Sequence, residues 1–245
     1  MKAALRLIFL VFLAGLSLQL YFVGRIALMV VVDPESTTFE RSAIYSVAAK
    51  TGSLAWAQEW VPYADMSDNL KRAVIASEDA SFLEHEGVDI EALEKAWDKN
   101  TKAELRVQKS AEKAPGNKPV KAAKIVGGST ITQQLAKNLF LSGERTLLRK
   151  GQELVLTLLL EQLLSKQRIL EIYLNSVEWG EGVFGAEAAA QLYFRKSAAR
   201  LSPYEAARLA VMLPRPKFFE SRPNSGYLSS RASTIAARMG GVELP

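Results

Sequence analysis

An uncharged apolar run near the N-terminus constrains this chain more than any other feature. Residues Leu7 to Gly24 carry no charged side chain, and after Arg25 the apolar character resumes through Val32. A segment of this length can cross the hydrocarbon core of a bilayer as one helix, with Arg25 at the outer interface or reaching toward it. The sequence therefore predicts a short cytoplasmic stub and a transmembrane anchor within residues 1–32.

Charges beside the run predict its orientation. Lys2 and Arg6 precede it, whereas Asp33 and Glu35 follow it. Because positive residues favour the cytoplasmic side, we expect the N-terminus in the cytoplasm and the rest of the chain across the membrane. A cleaved signal peptide is the alternative, but its apolar region would be shorter, and no convincing A-x-A site follows this one.

The rest of the chain has the composition of a folded domain with a positive surface. The 245 residues are 49% hydrophobic, with a formal charge of +5 and no cysteine. This content can bury a sizeable core, and the lack of cysteine excludes disulfides, thiolate nucleophiles and thiolate metal sites. The positive charge favours a polyanionic partner, which leaves nucleic acid, anionic lipid and a pyrophosphate substrate open.

Helical spacing dominates after a mixed connector at residues 33–59. One helix is predicted from Ser67 or Asp68 through Glu84, and another follows the Gly-Gly-Ser-Thr turn at 127–130. Apolar residues three and four apart over 145–175 predict a long helix whose dense centre, Leu154 to Leu164, is buried.

Two shorter helices are predicted over 185–194 and 202–213, the second with Ser202 as N-cap. The lysine-rich segment from Asp98 to Lys124 is expected to be a mobile loop. The match to Gly-x-Gly-x-x-Gly at 180–185 follows a helical segment rather than a strand, which predicts a turn between two helices. Without sustained strand alternation, the predicted class is mainly α.

Glu78 is the first candidate for chemistry. It stands one turn after Val74 and Ile75 and one turn before Phe82, so its carboxylate is tied to an apolar face. Such a group loses solvation and its pKa rises, which suits a general base near neutral pH. Asp79 could orient Glu78 or hold a cation. The same pattern equally fits the solvated rim of an amphipathic helix.

A metal site near Glu78 has weaker support. His85 is the only histidine, which together with the lack of cysteine excludes an ordinary zinc site. Six carboxylates lie between residues 78 and 91, so an all-carboxylate site for Mg or Mn stays open.

Basic residues that could hold phosphate cluster further along the chain. Lys137, Arg145, Arg149 and Lys150 follow the Gly-Gly-Ser-Thr turn, whose amide and hydroxyl donors could receive an anion at a helix N-terminus. The spacing places Glu153 on the helix face of these cations. An exposed ion pair of little energetic weight is the alternative.

Five motifs, in order, resemble those of the peptidoglycan glycosyltransferase family. "EDASFLEHEG" is similar to the first motif, E-D-x-x-F-x-x-H-x-G, and "GGSTITQQLAKNLF" is similar to the second. "RKGQE", "RILEIYLN" and "GVFGAEAAAQLYF" are similar to the other three. Nothing like a transpeptidase domain follows, so the resemblance is nearest to the monofunctional biosynthetic transglycosylases of Gram-negative bacteria. One departure is Arg195, where the family usually has glycine, and it puts only the local turn in doubt.

The resemblance implies a lysozyme-like α fold with a membrane-facing lobe, in a periplasmic glycosyltransferase domain at residues 60–245. It implies that Glu78 is the catalytic base and that Glu153 is a second essential carboxylate. Asp79, Phe82, His85 and Gly87 would support Glu78. The residues expected to bind the donor diphosphate are Ser129, Thr130, Gln134, Lys137, Arg145, Arg149 and Lys150.

The implied reaction is polymerisation of lipid II at the outer face of the bacterial inner membrane, with the growing glycan strand as the second substrate. No cofactor is required, although a divalent cation (Mg or Mn) stays open. Inner-membrane lipid and proteins of cell division or wall synthesis are the other expected partners, and nucleic acid is not. The alternatives are a membrane-anchored lytic transglycosylase or muramidase, and a noncatalytic scaffold.

Overall fold

The computed structural model describes residues 2–54, 56–113, 127–141, 143–144 and 146–245. Helices dominate this part of the chain, which confirms the mainly α prediction. The helices are α1 Lys2–Leu28, α2 Thr38–Thr51, α3 Asp68–Glu78, α4 Ile90–Lys113, α5 Ile131–Phe140, α6 Leu147–Leu163, α7 Lys166–Ser176, α8 Ala186–Phe194, α9 Pro203–Met212, α10 Pro216–Glu220 and α11 Gly226–Arg238. Three short strands, β1 Ala57–Gln58, β2 Glu178–Gly180 and β3 Val183–Phe184, form one sheet in the order β1-β3-β2.

Two groups of helices pack around the core, and they carry the polar residues of the candidate site described below. Helix α3 packs against α9 and α11, while α5 packs against α6 and α7. Tyr173 on α7 and Trp179 on β2 are fully buried at this junction, as are Leu135 and Leu156. Burial of a side chain of this kind contributes about 1.5–3 kcal/mol, so the core fixes the helices that carry the polar residues.

Helix α1 agrees with the predicted anchor in length and composition: its 27 residues are long and apolar enough to cross a membrane. Its first half is exposed, whereas Phe22, Ile26 and Met29 near its end are buried in the domain. These residues recur at spacings of four and three, so one stripe of the anchor packs against the domain.

Helix α4 corrects the prediction of a mobile loop from Asp98 to Lys124. The helix continues to Lys113, while residues 114–126 lie outside the described residues. The many lysines and the few large apolar residues indicate a mobile loop. Alanine, lysine, glutamate, glutamine and leucine are good helix formers, and that propensity applies to a polar helix too.

Helix α3 also differs from its prediction, because it ends at Glu78 instead of continuing through Glu84. Asp79 is the C-cap residue, with φ −161° and ψ 72°, so the chain leaves the helix there. Phe82 is therefore not one helical turn after Glu78, although it is fully buried beneath the turn that follows.

The predicted long helix over 145–175 is two helices, α6 and α7, separated at Leu164 and Ser165. Its dense centre is not a buried core helix. Glu153, Leu156, Thr157 and Leu160 face inward, and the apolar residues exposed on the helix are Leu147, Leu148, Leu154, Val155 and Leu158. Apolar residues on both faces predict a helix that water contacts on neither side. Lipid could cover the outer face of such a helix as well as protein could.

The glycine-rich match at 180–185 is the turn of the β2–β3 hairpin, and this hairpin connects α7 to α8. Gly182 and Gly185 have φ of 73° and 79°. A Cβ on Gly185 would lie 2.7 Å from the carbonyl oxygen of Asn175, so the glycine allows a close backbone approach.

The turn after α8 explains the unusual Arg195. Arg195 has φ 55° and ψ 40°, the left-handed conformation of a helix C-cap, and glycine adopts this conformation without strain.

We expect Arg195→Gly to raise the free energy of unfolding by about 0.5–1 kcal/mol, because the Cβ strain exceeds the added chain entropy. Thermal unfolding checks this, with Arg195→Ala as the matched control. Equal stabilities of the two variants would contradict the expectation.

Helix α2 lies within the predicted connector at 33–59, and it packs against α5. Thr37 and Glu40 form a capping box: the Thr37 hydroxyl accepts the amide of Glu40, and the Glu40 carboxylate accepts the amide of Thr37 at 2.6 Å. The predicted boundary at residue 59 stays a prediction.

Burial of Glu40 predicts a pH-dependent stability. Desolvation raises the pKa of Glu40 from 4.5 to about 7, against the hydrogen bonds from Thr37. The folded state then binds more protons than the unfolded state between these values, so stability falls as the pH rises through that window. Glu40→Gln keeps the capping box and removes the charge, so we expect a gain of up to about 3 kcal/mol at pH 8 and none at pH 4. Thermal unfolding at both pH values checks this, with the exposed Glu35→Gln as control. An equal gain at both pH values would contradict it.

Candidate active site

Glu78 ends α3 with its carboxylate on a cleft. Val74 and Ile75 are buried beside it on the same helix. Its Oε2 accepts a hydrogen bond from Nε2 of Gln134 at 3.0 Å, and the Gln134 Oε1 accepts the Tyr173 hydroxyl at 3.0 Å. Desolvation raises the pKa of Glu78, and the nearby Asp79 charge adds to the rise, while the Gln134 bond and the Lys137 charge oppose it.

Tyr173 was not predicted as a site residue, because its position in the apolar stripe of α7 indicated only a core residue. It is fully buried, and burial raises its pKa well above 10.0, so its hydroxyl stays protonated as the donor to Gln134. A buried tyrosine hydroxyl needs a partner, and that requirement was the available sign of a polar network here.

Asp79 is buried and connects two elements. Its Oδ2 accepts the backbone amide of Ile131 at 2.9 Å, and its Oδ1 lies 2.9 Å from Nε2 of His85. The Ile131 amide is at the N-terminus of α5, where the helix dipole favours a carboxylate. Asp79 therefore holds α5 against the end of α3, and α5 carries Gln134 to Glu78.

His85 and Gly87 shape the turn after α3 and are not arranged as metal ligands. The Gly87 amide donates to Nδ1 of His85 at 3.1 Å, so the proton of the neutral ring is on Nε2, which donates to Asp79. Lys166 donates to the carbonyl of His85 at 2.7 Å and lies 4.6 Å from the ring centre of Phe82.

Gly87 lies where no side chain fits. Its φ is 89°, and a Cβ would lie 2.7 Å from Cγ2 of Thr157. Its carbonyl accepts the hydroxyl of Thr130 at 2.6 Å. The first motif is therefore bonded to the second through Gly87 and Thr130 as well as through Asp79 and Ile131.

At the N-terminus of α5, where the sequence predicts an anion site, the protein's own groups already occupy part of the donors. Thr130 and Gln133 form a capping box, and the Ile131 amide is already bound by Asp79. The protein's own carboxylate thus takes the place of an external anion. Ser129 is exposed and lines the cleft beside Glu78, so its hydroxyl faces the space that a substrate would enter.

The cleft at Glu78 has a volume of about 490 Å³. Glu78, Asp79, Ser129 and Thr130 line it, together with Gly128. Glu84, Glu86 and Glu91 are exposed, in agreement with a solvated rim. Among the residues that the structure describes, no group of three His, Asp or Glu side chains could hold a metal ion.

A cluster of cations is formed by Lys137 on α5 and by Arg149 and Lys150 on α6. Glu153 is buried between the latter two: its Oε2 lies 2.9 Å from Nη1 of Arg149, and its Oε1 accepts from Nζ of Lys150. Arg145 lies outside the described residues. Three cations against one carboxylate leave the cluster positive.

Lys137 connects the cluster to Glu78. Desolvation lowers the pKa of Lys137, although the side chain keeps an exposed surface, and the charges of Glu153 and Glu78 oppose this shift while those of Arg149 and Lys150 add to it. Lys137 therefore interacts electrostatically with both carboxylates. Gln134, which binds Glu78, lies one turn before Lys137 on α5, so this helix connects the predicted base to the predicted phosphate site.

Comparison with known proteins agrees with these motifs. The sequence model of the transglycosylase family matches residues 47–240. A biosynthetic peptidoglycan transglycosylase of Burkholderia thailandensis is 52% identical over 232 residues, which cover 95% of this chain and 84% of the relative. Proteins of the same name from Herminiimonas arsenicoxydans (51% over 230 residues, 94% and 92%) and Paraburkholderia phytofirmans (50% over 234 residues, 95% and 90%) are similar. The chain belongs to the transglycosylase family, whose domain is mainly helical and lysozyme-like.

Proposed function

We propose that this chain is a peptidoglycan glycosyltransferase that polymerises lipid II into linear glycan strands and releases undecaprenyl diphosphate with inversion. The observation that carries the proposal is the position of α5 between a carboxylate and a positive cluster: its Gln134 binds Glu78, its Lys137 lies one turn further along, and the helix packs against α6, which carries Arg149 and Lys150. The relatives' name, biosynthetic peptidoglycan transglycosylase, supports the same reaction.

Glu78 acts as the base in this proposal. The 4-hydroxyl of the incoming lipid II sugar forms a bond to C1 of the growing chain, and the bond from C1 to the diphosphate oxygen breaks. The hydroxyl proton passes to Glu78, and the electron pair of the broken bond leaves with the diphosphate. The alcohol needs a base as it attacks an oxocarbenium-like centre, so Glu78 has to be ionised when the acceptor arrives.

The cations stabilise the leaving group. A diphosphate is a weak base that departs without a proton, and it gains most from positive charges placed where its own charge develops. Lys137 and Lys150 supply these charges in the proposal, together with Arg149 and Arg145. Glu153 holds Arg149 and Lys150 in place through its two oxygens.

A divalent cation has no evident place among the described side chains. The carboxylate of Glu153 is engaged at both oxygens by Arg149 and Lys150, and Asp79 is engaged by His85 and Ile131. Among the described residues, no group of three His, Asp or Glu side chains could hold Mg or Mn. No step of the proposed mechanism passes through a metal.

The raised pKa of Glu78 alone does not separate synthesis from cleavage, because a lytic enzyme would use the same residue protonated. The positive cluster separates them, since cleavage of a glycan releases no diphosphate.

We place the anchor in the bacterial inner membrane, with the catalytic domain in the periplasm and the exposed leucines of α6 in lipid. Division or wall-synthesis proteins are further proposed partners, and nucleic acid is not.

The test offers the purified full-length protein lipid II and polymeric glycan in separate reactions. We expect polymer from lipid II, no cleavage of the glycan, and inhibition by moenomycin, the inhibitor that the family's donor site implies. Cleavage of the glycan without polymerisation of lipid II would overturn the proposal in favour of the lytic alternative.

A further inference from the structure

Helix α1 carries a partly buried polar residue, Gln19, one turn before Phe22 on the face that packs against the domain. Gln19 lies six residues before Arg25, or about 9 Å along a helix. If Arg25 marks the outer interface, the Gln19 amide is inside the hydrocarbon, where an unsatisfied polar group is strongly unfavourable. The side chain therefore needs a protein partner.

Gln152 on α6 is that partner. Nε2 of Gln19 donates to Oε1 of Gln152 at 2.9 Å, and Nε2 of Gln152 donates to Oε1 of Gln19 at 3.2 Å. The two amides thus satisfy each other in both directions. Gln152 directly precedes Glu153, which holds Arg149 and Lys150.

Three further contacts hold the end of α1 and the residues after it against the other helices of the site. The ring of Phe22 packs edge-on against Phe140 on α5, with 5.4 Å between the centroids. Arg168 on α7 donates to the carbonyl of Met29 at 2.8 Å and pairs with Asp33 at 2.7 Å. The outer half of α1 therefore contacts α5 and α6, and the residues just after α1 contact α7. These three helices carry Lys137, Glu153 and Tyr173.

We propose that Gln19 and Gln152 form a polar clasp within the bilayer that sets the register of α6 against the anchor and so positions Lys150 and Glu153. The inference rests on the proposed function. It makes the anchor a part of the catalytic architecture, and Gln19 and Gln152 are positioning residues in it. A lipid-linked substrate approaches from the membrane, so a fixed depth of α6 aligns the cations with its diphosphate.

The kinetic test compares Gln19→Leu, Gln152→Leu and the double variant with the wild-type protein in lipid vesicles that contain lipid II. Hydrogen bonds between membrane helices are modest, so we expect kcat to fall about 3- to 10-fold in each single variant. KM should change less than twofold, because the positioned groups act on the developing charge. The double variant should lose no more than a single one, since either change breaks the whole clasp.

Gln162→Leu is the matched control, because Gln162 is an exposed glutamine on the same helix. It should keep wild-type kcat. Additive losses in the double variant, an equal loss in the control, or wild-type kcat in both single variants would overturn the proposal.

A second measurement is independent of activity. The chain has no cysteine, so Gln19→Cys with Gln152→Cys introduces the only two thiols. A short bifunctional thiol reagent should join them in membranes, whereas Gln19→Cys with Gln162→Cys should not react, because Gln162 is about 15 Å further along α6. Equal linking in the two pairs would contradict the clasp. If the wild-type protein failed to polymerise lipid II, the proposed function would fail while this measurement still decided the geometry.

Discussion

Replacing Glu78 by glutamine is expected to lower the rate of lipid II polymerisation by about 10²- to 10⁴-fold, the usual contribution of a general base. Glutamine keeps the shape and can still accept the hydrogen bond from Gln134, but it cannot take a proton from the acceptor hydroxyl. The rate at which the purified Glu78→Gln variant forms glycan polymer from lipid II measures this loss.

Stability should move the other way in the same variant. Because burial raises the pKa of Glu78, its ionised form is unfavourable in the folded protein. A neutral amide should therefore leave the melting temperature unchanged or raise it. The exposed Glu94→Gln, outside the cleft, is the control and should keep both activity and stability. Wild-type polymerisation by Glu78→Gln would show that another group is the base.

Replacing Glu153 by glutamine should have the second-largest effect. The change releases Arg149 and Lys150 from their shared carboxylate, and it removes a charge that raises the pKa of Lys137. A smaller protonated fraction of Lys137 and misplaced cations both weaken stabilisation of the leaving diphosphate. We expect kcat/KM for lipid II to fall about 10²-fold, comparable to the loss of one preorganised donor.

Glu153→Gln should also destabilise the fold, because Arg149 would keep a largely buried charge without its partner. Lys150 is more than half exposed, so we expect a loss of about 1–3 kcal/mol, less than for a fully buried pair. Glu91→Gln is the matched control, since it breaks the exposed pair with Lys95. A wild-type kcat/KM in Glu153→Gln would remove the positive cluster from the mechanism.

The sequence predicted the parts of the site that depend on local chemistry. Glu78 beside Val74 and Ile75 predicted a raised pKa, and the structure agrees. The Ser202 cap of α9 was also predicted, because capping depends on residues within one turn.

Contacts between distant segments could not be predicted in this way. The sequence predicts that Asp79 orients Glu78 or holds a cation, but it does not predict the bond from Asp79 to Ile131, 52 residues further along the chain. Tyr173 and Gln152 sit in helical patterns that indicate only packing, and their hydroxyl and amide find partners on other helices. The apolar pattern of α6 predicts a fully buried helix, because this pattern is the same whether a face contacts protein or lipid.

The pH dependence of lipid II polymerisation by the full-length protein tests the central claim most directly. A base must be ionised, so kcat/KM should rise with pH through an apparent pKa above 4.5, and the rise should disappear in Glu78→Gln. On the alkaline side, the lowered pKa of Lys137 should make the activity decline as this side chain loses its proton. An activity that falls as the pH rises through the acidic range would show that Glu78 acts protonated, and it would contradict the account.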